Sequence, residues 1–265
     1  RTQADLADHL GIEVWHAVVG GSMGGMQALE WAVMYPHRLG RLVAMATTTA
    51  ASAQQIGWSL VGRRAIANDP NFAGGDYYGR APGCGPHAGL AVARSVAQIT
   101  YRSESAYAER FGRARVAARG DLDAAVRYDV ESYLDYHGDK LSRRFDANSY
   151  LRMNRAMDLH DLGRGRGGIE AALRRITVPV QVISIDSDAL YPPYQQLDLY
   201  RGLRAAGGTA GFRSIHSSEG HDGFLLAIDQ IGPIVSSFLA GDEPAGEPND
   251  DHPPQPAHTD ERGRP

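Results

Sequence analysis

A chain of 265 residues, 43% hydrophobic and 22% charged, has enough material for one large packed domain or for a core carrying an insertion. Its net charge of −4 leaves arginines scattered among acids, which recommends no nucleic-acid partner, and its single cysteine, Cys84, excludes an internal disulfide and suits a reducing compartment. No apolar run approaches the ~20 residues that span a bilayer and no signal peptide opens the chain, so the expected location is cytoplasmic.

In chain order, Leu6, Ala7 and Leu10 mark a short helix over residues 4–10, and residues 13–19 read as a strand. That strand runs into Gly20-Gly21-Ser22-Met23-Gly24, and a helical pattern over 24–35 leads out to Pro36. A G-x-S-x-G between a strand and a helix has the form of a nucleophile elbow, a strained turn that lifts a serine hydroxyl above the sheet edge. Glycines two residues to either side are expected where side chains would collide with the neighbouring strand and helix. The helix start beneath Ser22 favours the negative charge that acyl transfer places on oxygen. Residues 39–46 read as the next buried parallel strand, which completes a βαβ unit.

From 52 to about 175 the periodicity is helical, over 53–68, 89–101, 105–118, 122–137 and 148–159, with no convincing strand. An insertion of this size after a sheet strand reads as a lid over the carboxyl ends of the strands, where open α/β sheets bind ligands. Cys84, between Pro82-Gly83 and Gly85-Pro86, reads as a free surface thiol. Strand–helix alternation resumes with a strand at 178–185, a helix at 193–206, a strand at 211–216 and a helix at 224–239. The division expected is a first core segment 1–51, a lid 52–175, a second core segment 176–241 and a disordered tail 242–265 rich in Pro, Asp, Glu and Gly. The tail histidines, His252 and His258, show no metal-ligand spacing, and no metal is expected. Almost nothing precedes the elbow strand and Arg1 is not a methionine, so the first strands of the sheet are expected to lie outside this sequence.

A serine nucleophile needs a histidine base and an acid, in the chain order Ser…Asp…His for a sheet of this kind. Asp186 and Asp188 close the strand at 178–185, and His221 lies in the loop after the last strand. Asp188 is preferred, being farther past the strand end, with Asp186 left to bind backbone N–H groups of the turn. The other histidines lie in strands, helices or the insertion and fit the role less well. In this arrangement His221 takes the proton of Ser22, Asp188 orients the imidazole, and the Met23 N–H is one oxyanion donor; the second donor belongs to an earlier loop, before Arg1.

Several stretches in order resemble one family. Gly20 to Trp31, Asp69-Pro70-Asn71-Phe72, Gly74-Gly75-Asp76-Tyr77-Tyr78, Gly89 to Arg94, Ile99-Thr100-Tyr101, Glu131 to Leu134, Gly138-Asp139-Lys140, Arg144 to Tyr150, Asp188 to Pro193 and Gly220 to Phe224 are similar to homoserine O-acetyltransferases of methionine biosynthesis, and His160 to Gly168 to their actinobacterial members. The resemblance implies an α/β-hydrolase fold, mostly parallel and flanked by helices, with a helical lid. It implies a ping-pong transfer of acetyl from acetyl-CoA through an acyl-serine to the homoserine hydroxyl, with no bound cofactor. It further implies that Arg94 clamps the substrate carboxylate and Asp222 pairs with its ammonium, with Tyr101 and Lys140 as candidate cavity walls and a homodimer formed through lid helices. The segment 79–88 is longer and more flexible than the family pattern, which bears on acceptor choice. A hydrolase, a transferase to serine or another hydroxyl, one using succinyl-CoA, and an inactive truncated paralogue share the same triad and stay open.

Overall fold

The computed structural model describes residues 1–81, 83–116 and 127–248. Helix α1 (Thr2–His9) precedes strand β1 (Val18–Gly21), helix α2 (Met23–Met34) and strand β2 (Leu42–Met45). A helical layer follows: α3 (Ala53–Ala67), α4 (His87–Tyr101), α5 (Glu104–Arg110), the short strands β3 (Arg115–Val116) and β4 (Arg127–Tyr128), α6 (Asp129–Ser142), α7 (Ala147–Asp158) and α8 (Ile169–Leu173). The sheet then resumes with β5 (Val180–Ile185), α9 (Pro193–Ala205), β6 (Ala210–Ile215), α10 (Gly223–Leu226) and α11 (Ile228–Ala240).

The main sheet has the order β1-β2-β5-β6 and every pair is parallel. The long helical excursion leaves after β2 and returns to β5, which pairs beside it from Leu42↔Val180 onward. Parallel strands covered on both faces are largely apolar, and all six residues of β5 are buried, the polar Gln181 and Ser184 among them. One face packs Leu29, Ala32, Leu42, Val182, Leu203 and Phe212 with the helices α2 and α9. The other packs Val43, Ile183, Ile185, Ile215 and Phe238 with α11. The helical layer has a core of its own around Ile66, Leu90, Ala93, Leu141 and Ala147. Ser52 opens this layer with a capping box on α3, its hydroxyl accepting the Gln55 N–H at 3.3 Å while the Gln55 side chain accepts the Ser52 N–H at 2.8 Å. Among the described residues no single helix is long and apolar enough to cross a membrane.

Several boundaries depart from expectation. The elbow strand does not start at 13: Trp15 makes one isolated bridge to Leu39, and the paired strand begins at Val18 and runs through both glycines to the nucleophile turn. The helix expected over 105–118 stops at Arg110, because Gly112 turns into the left-handed region at φ +47°; Arg115–Val116 then pairs antiparallel with Arg127–Tyr128 in a stretch expected to lack strands. Of the helix expected over 122–137, residues 122–126 lie outside the described residues, and the observed helix starts at Asp129 and runs on to Ser142. The closing helix is broken at Ala227 into two segments bent by 60°. Within the tail expected to be disordered from 242, Ala245 and Gly246 pack on the sheet. Gln181 is buried to 1% exposure in an apolar strand, and its amide needs both a donor and an acceptor. The backbone of Ala245 supplies them, its N–H donating to Oε1 at 2.9 Å and its carbonyl accepting from Nε2 at 3.2 Å, while Phe212 N–H donates to the Gly246 carbonyl at 3.1 Å. Residues 249–265, with His252 and His258, lie outside the described residues.

Candidate active site

Three strand ends meet at one rim of the sheet. β1 ends at Gly21, and Ser22 takes φ 56°, ψ −125° before α2 begins at Met23. A residue with a Cβ is strained there, so the surroundings must hold it. Ser22 N–H donates to the Met45 carbonyl at 2.9 Å, and the Ser22 carbonyl accepts from Met26 N–H at 3.2 Å and from Thr47 Oγ1 at 2.8 Å. The room for this turn comes unequally from its glycines. A Cβ on Gly20 would lie 2.1 Å from the Gly24 carbonyl oxygen, and one on Gly25 would lie 2.6 Å from Thr47 Cβ. A Cβ on Gly24 would meet nothing within 4 Å, so the expectation of a collision at this second motif glycine is corrected: the crowded position is the next residue. Met23 is the first residue of α2, where a backbone N–H has no helical acceptor and is available to an oxyanion.

The other two strands deliver the acid and the base. Asp188, 3% exposed, lies in the turn after β5, and its Oδ1 accepts from the N–H groups of Leu190 at 2.8 Å and Tyr191 at 2.9 Å. Its Oδ2 stands 2.7 Å from His221 Nδ1, and His221 Nε2 stands 2.8 Å from Ser22 Oγ. With Nδ1–H donating to the carboxylate, Nε2 is the acceptor facing the serine hydroxyl. His221 is 4% exposed and boxed by the rings of Tyr191, Phe224 and Tyr101, with centroids at 5.1, 5.3 and 5.9 Å. Asp186 does other work: it binds the exposed His216 and accepts the Ser217 N–H at 3.0 Å, in the loop that follows β6.

A cavity of ≈ 70 Å³ opens on Ser22 beneath α3, α4 and α7, walled by Trp58, Ala97, Tyr101, Tyr150, Met157 and Tyr191. Burial pushes the Tyr101 hydroxyl up, against Arg94, whose guanidinium lies 5.5 Å from the Tyr101 ring centroid. Burial likewise raises the Tyr150 hydroxyl to about 12. Arg94 is half-buried and makes no ion pair among the described residues. Asp222, next to the base, is raised by burial and drawn back chiefly by Arg102, whose Nε lies 3.2 Å from Oδ2. Lys140 sits on the Tyr136 ring at 5.5 Å, and Tyr136 is itself exposed, so the lysine does not line this cavity. Among the described residues no three His, Cys, Asp or Glu side chains converge as metal ligands.

Two residues at the site went unnoticed in the sequence. Ser187 binds the loops of acid and base together, its hydroxyl donating to the Ser217 carbonyl and accepting the Gly220 N–H at 3.0 Å. Arg102 binds both Glu219 and Asp222. A lone serine in a turn and an arginine at a helix end carry no pattern that announces such roles.

Known proteins share this architecture. A family model described as the alpha/beta hydrolase fold matches residues 3–227. The homoserine O-acetyltransferase of Thermobifida fusca (strain YX) is 48% identical over 240 residues, 91% of this chain and 62% of that protein. The chain thus spans less than two thirds of the length of such curated relatives. Among solved structures, the homoserine O-acetyltransferase from Bacillus anthracis aligns with a TM-score of 0.83 at 26% identity, covering 93% of this chain and 65% of that one. Esterase E22 aligns with a TM-score of 0.80 at 23% identity, covering 90% and 64%, a likeness of fold alone.

Proposed function

This chain belongs to the family of the alpha/beta hydrolase fold, and from that premise we propose that Ser22, His221 and Asp188 are nucleophile, base and acid of an acyltransferase that moves acetyl from acetyl-CoA to the hydroxyl of L-homoserine. The observation that carries the chemistry is the unbroken line Ser22 Oγ–His221 Nε2, 2.8 Å, and His221 Nδ1–Asp188 Oδ2, 2.7 Å, beside a cavity roofed by helices. The choice of acceptor rests on the homoserine O-acetyltransferases among the relatives.

In the first half-reaction Ser22 Oγ attacks the thioester carbonyl as its proton passes to His221 Nε2. The oxyanion is met by the Met23 N–H, Asp188 steadies the imidazolium, and collapse expels the CoA sulfur, which leaves as the thiol with the proton from His221. In the second, His221 takes the proton of the homoserine hydroxyl, whose oxygen attacks the acyl-serine, and Ser22 leaves with that proton. Arg94 would offer a guanidinium fork to the acceptor carboxylate and Asp222 a carboxylate to its ammonium, with Tyr101 forming the wall between them. Acetyl-CoA is a co-substrate in this scheme, with no resident cofactor. Pairing of two copies through the exposed Val92, Ile99 and Tyr136 of the lid helices, and action in the cytoplasm, belong to the same proposal.

Ester hydrolysis is the second reading, favoured by a triad indifferent to what attacks the acyl-serine. The lid weighs against it, because a roofed cavity lowers the access of water to the intermediate. The two separate when the full-length protein is given acetyl-CoA and CoA release is followed with homoserine, serine or water alone as acceptor. Homoserine is expected to be fastest; fastest turnover with water overturns the transferase assignment.

A further inference from the structure

The loop that carries His221 is fastened to the lid at the end of α4. Gly220 adopts φ +68°, and a Cβ there would lie 2.5 Å from Ser103 N and 2.7 Å from the Arg102 carbonyl carbon, so the loop backbone lies directly on the lid backbone. Ser103 Oγ donates to the Ser218 carbonyl. Between these contacts the Arg102 guanidinium reaches back to two acids of the loop, binding Glu219 through Nη1 and standing 3.2 Å from Asp222 Oδ2 through Nε.

The two acids are engaged differently. The Nη1 contact to Glu219 is a hydrogen-bonded ion pair, whereas Arg102 Nε is buried and has no hydrogen-bond acceptor despite its proximity to Asp222. At 3.2 Å the contact lies within ion-pair distance but is not a hydrogen bond, so the attraction to Asp222 is Coulombic. We propose that Arg102 is a positioning residue for the acceptor's amino end: anchored on Glu219, it holds Asp222, the neighbour of the base His221, as a carboxylate able to meet an ammonium group. The inference rests on Asp222 as the partner of the substrate ammonium, and it makes a lid residue the determinant of preference for amino-bearing acceptors.

The charges around Asp222 fit this role. Burial favours its neutral form, and the cations that oppose this are, in order, Arg102, His221 and Arg94, while Glu219 acts the other way. The neighbouring Tyr101 and Tyr107 are both raised by burial and stay neutral phenols. Removing Arg102 therefore removes the largest influence keeping Asp222 ionised, and ammonium binding weakens first on the acid side, where Asp222 takes up a proton.

The test uses the full-length protein, with L-homoserine and its deaminated analogue 4-hydroxybutanoate as alternative acceptors. Arg102→Gln is expected to raise KM for homoserine about tenfold on the acid side, where Asp222 takes up a proton, and by less on the alkaline side. The acid limb of kcat/KM for homoserine should move to higher pH, while kcat/KM for 4-hydroxybutanoate and the acylation burst with p-nitrophenyl acetate keep their wild-type values. Arg102→Lys, which retains the charge, should keep the homoserine KM and the acid limb near wild type. Equal losses with the two acceptors and an unmoved acid limb would mean a purely structural role and overturn the proposal. So would a tenfold KM rise in Arg102→Lys, which also decides the matter if Arg102→Gln does not fold. Asp222→Asn separates the underlying premise: an unchanged homoserine KM in that variant removes Asp222 as the ammonium partner, whatever Arg102 does.

Discussion

Two Asp–His pairs stand within a few residues of each other at the rim of the sheet, and only their surroundings tell them apart. The His216 side chain is 96% exposed and binds Asp186, whereas His221 and Asp188 are 5% and 0% exposed at the side chain and pair with each other, with His221 Nε2 facing Ser22. In water an ion pair of the first kind contributes little; in a dry site a carboxylate fixes both the tautomer and the charge of the ring. Asp188→Asn keeps an oxygen for the N–H groups of Leu190 and Tyr191 but presents an amide to His221. It is expected to lower kcat by about 10³–10⁴-fold with a near-wild-type Tm, while Asp186→Asn stays within about threefold of wild type. Steady-state kinetics and thermal unfolding of the two variants check this, and equal kinetic losses would mean that Asp186 shares the role. That Asp188 lies past the end of the strand was legible from the β-branched run before it. Ser187 and Arg102 were not, because their partners lie in other loops and the contacts exist only once β5, β6 and the lid are assembled.

At the scale of the element, the motif glycines show how a sequence signature compresses unequal physical demands. Gly20 faces a backbone oxygen at 2.1 Å, which cannot move without opening the turn, and Gly25 faces Thr47, whose hydroxyl binds the Ser22 carbonyl. Gly24 faces open space among the described residues. Gly20→Ala and Gly25→Ala should therefore each cost roughly 1–3 kcal/mol through overpacking and shift Ser22, lowering the burst amplitude with p-nitrophenyl acetate. Gly24→Ala should lie within about 1 kcal/mol of wild type, since its strain is small and alanine favours the helix. Urea unfolding with the burst measured in parallel decides, and a Gly24→Ala variant as damaged as Gly20→Ala would contradict the geometry. The strand–turn–helix order was readable from β-branched runs and glycine placement. Strand ends were not: Gly20 and Gly21 look like breakers in sequence but are held extended by pairing with Ala44 and Met45. The end of α5 depended on one left-handed glycine, Gly112, and the ordering of Ala245 depended on a buried amide far away in the chain.

At the scale of the molecule, the lid must stand in a fixed relation to the sheet if the cavity over Ser22 is to persist, and the two chain crossings between them are pinned at one place. Ala50 bridges Asp161 in antiparallel fashion, Leu162 N–H donates to the Thr49 carbonyl at 2.8 Å, and Ala51 N–H donates to the His160 carbonyl at 3.0 Å. The His160 ring, 9% exposed, closes the junction with Nε2 3.0 Å from the Thr48 carbonyl. A carbonyl only accepts, so Nε2 carries the proton. Burial lowers the tendency of this ring to take a second proton, and the bond to Thr48 opposes that only in part. A histidine depressed in the folded state contributes stability that is fully present above its unfolded value of about 6.5 and is lost as pH falls through that value toward the folded one. The wild-type Tm should therefore fall between pH 7 and pH 5 more steeply than that of His160→Gln, whose amide can still donate to Thr48 but does not titrate. Since these contacts join the helical layer to the sheet, the acyl transfer proposed above is expected to decline over the same interval in the wild type and less in the variant. Parallel Tm profiles for the two proteins would show that His160 is not the group through which acid loosens the lid.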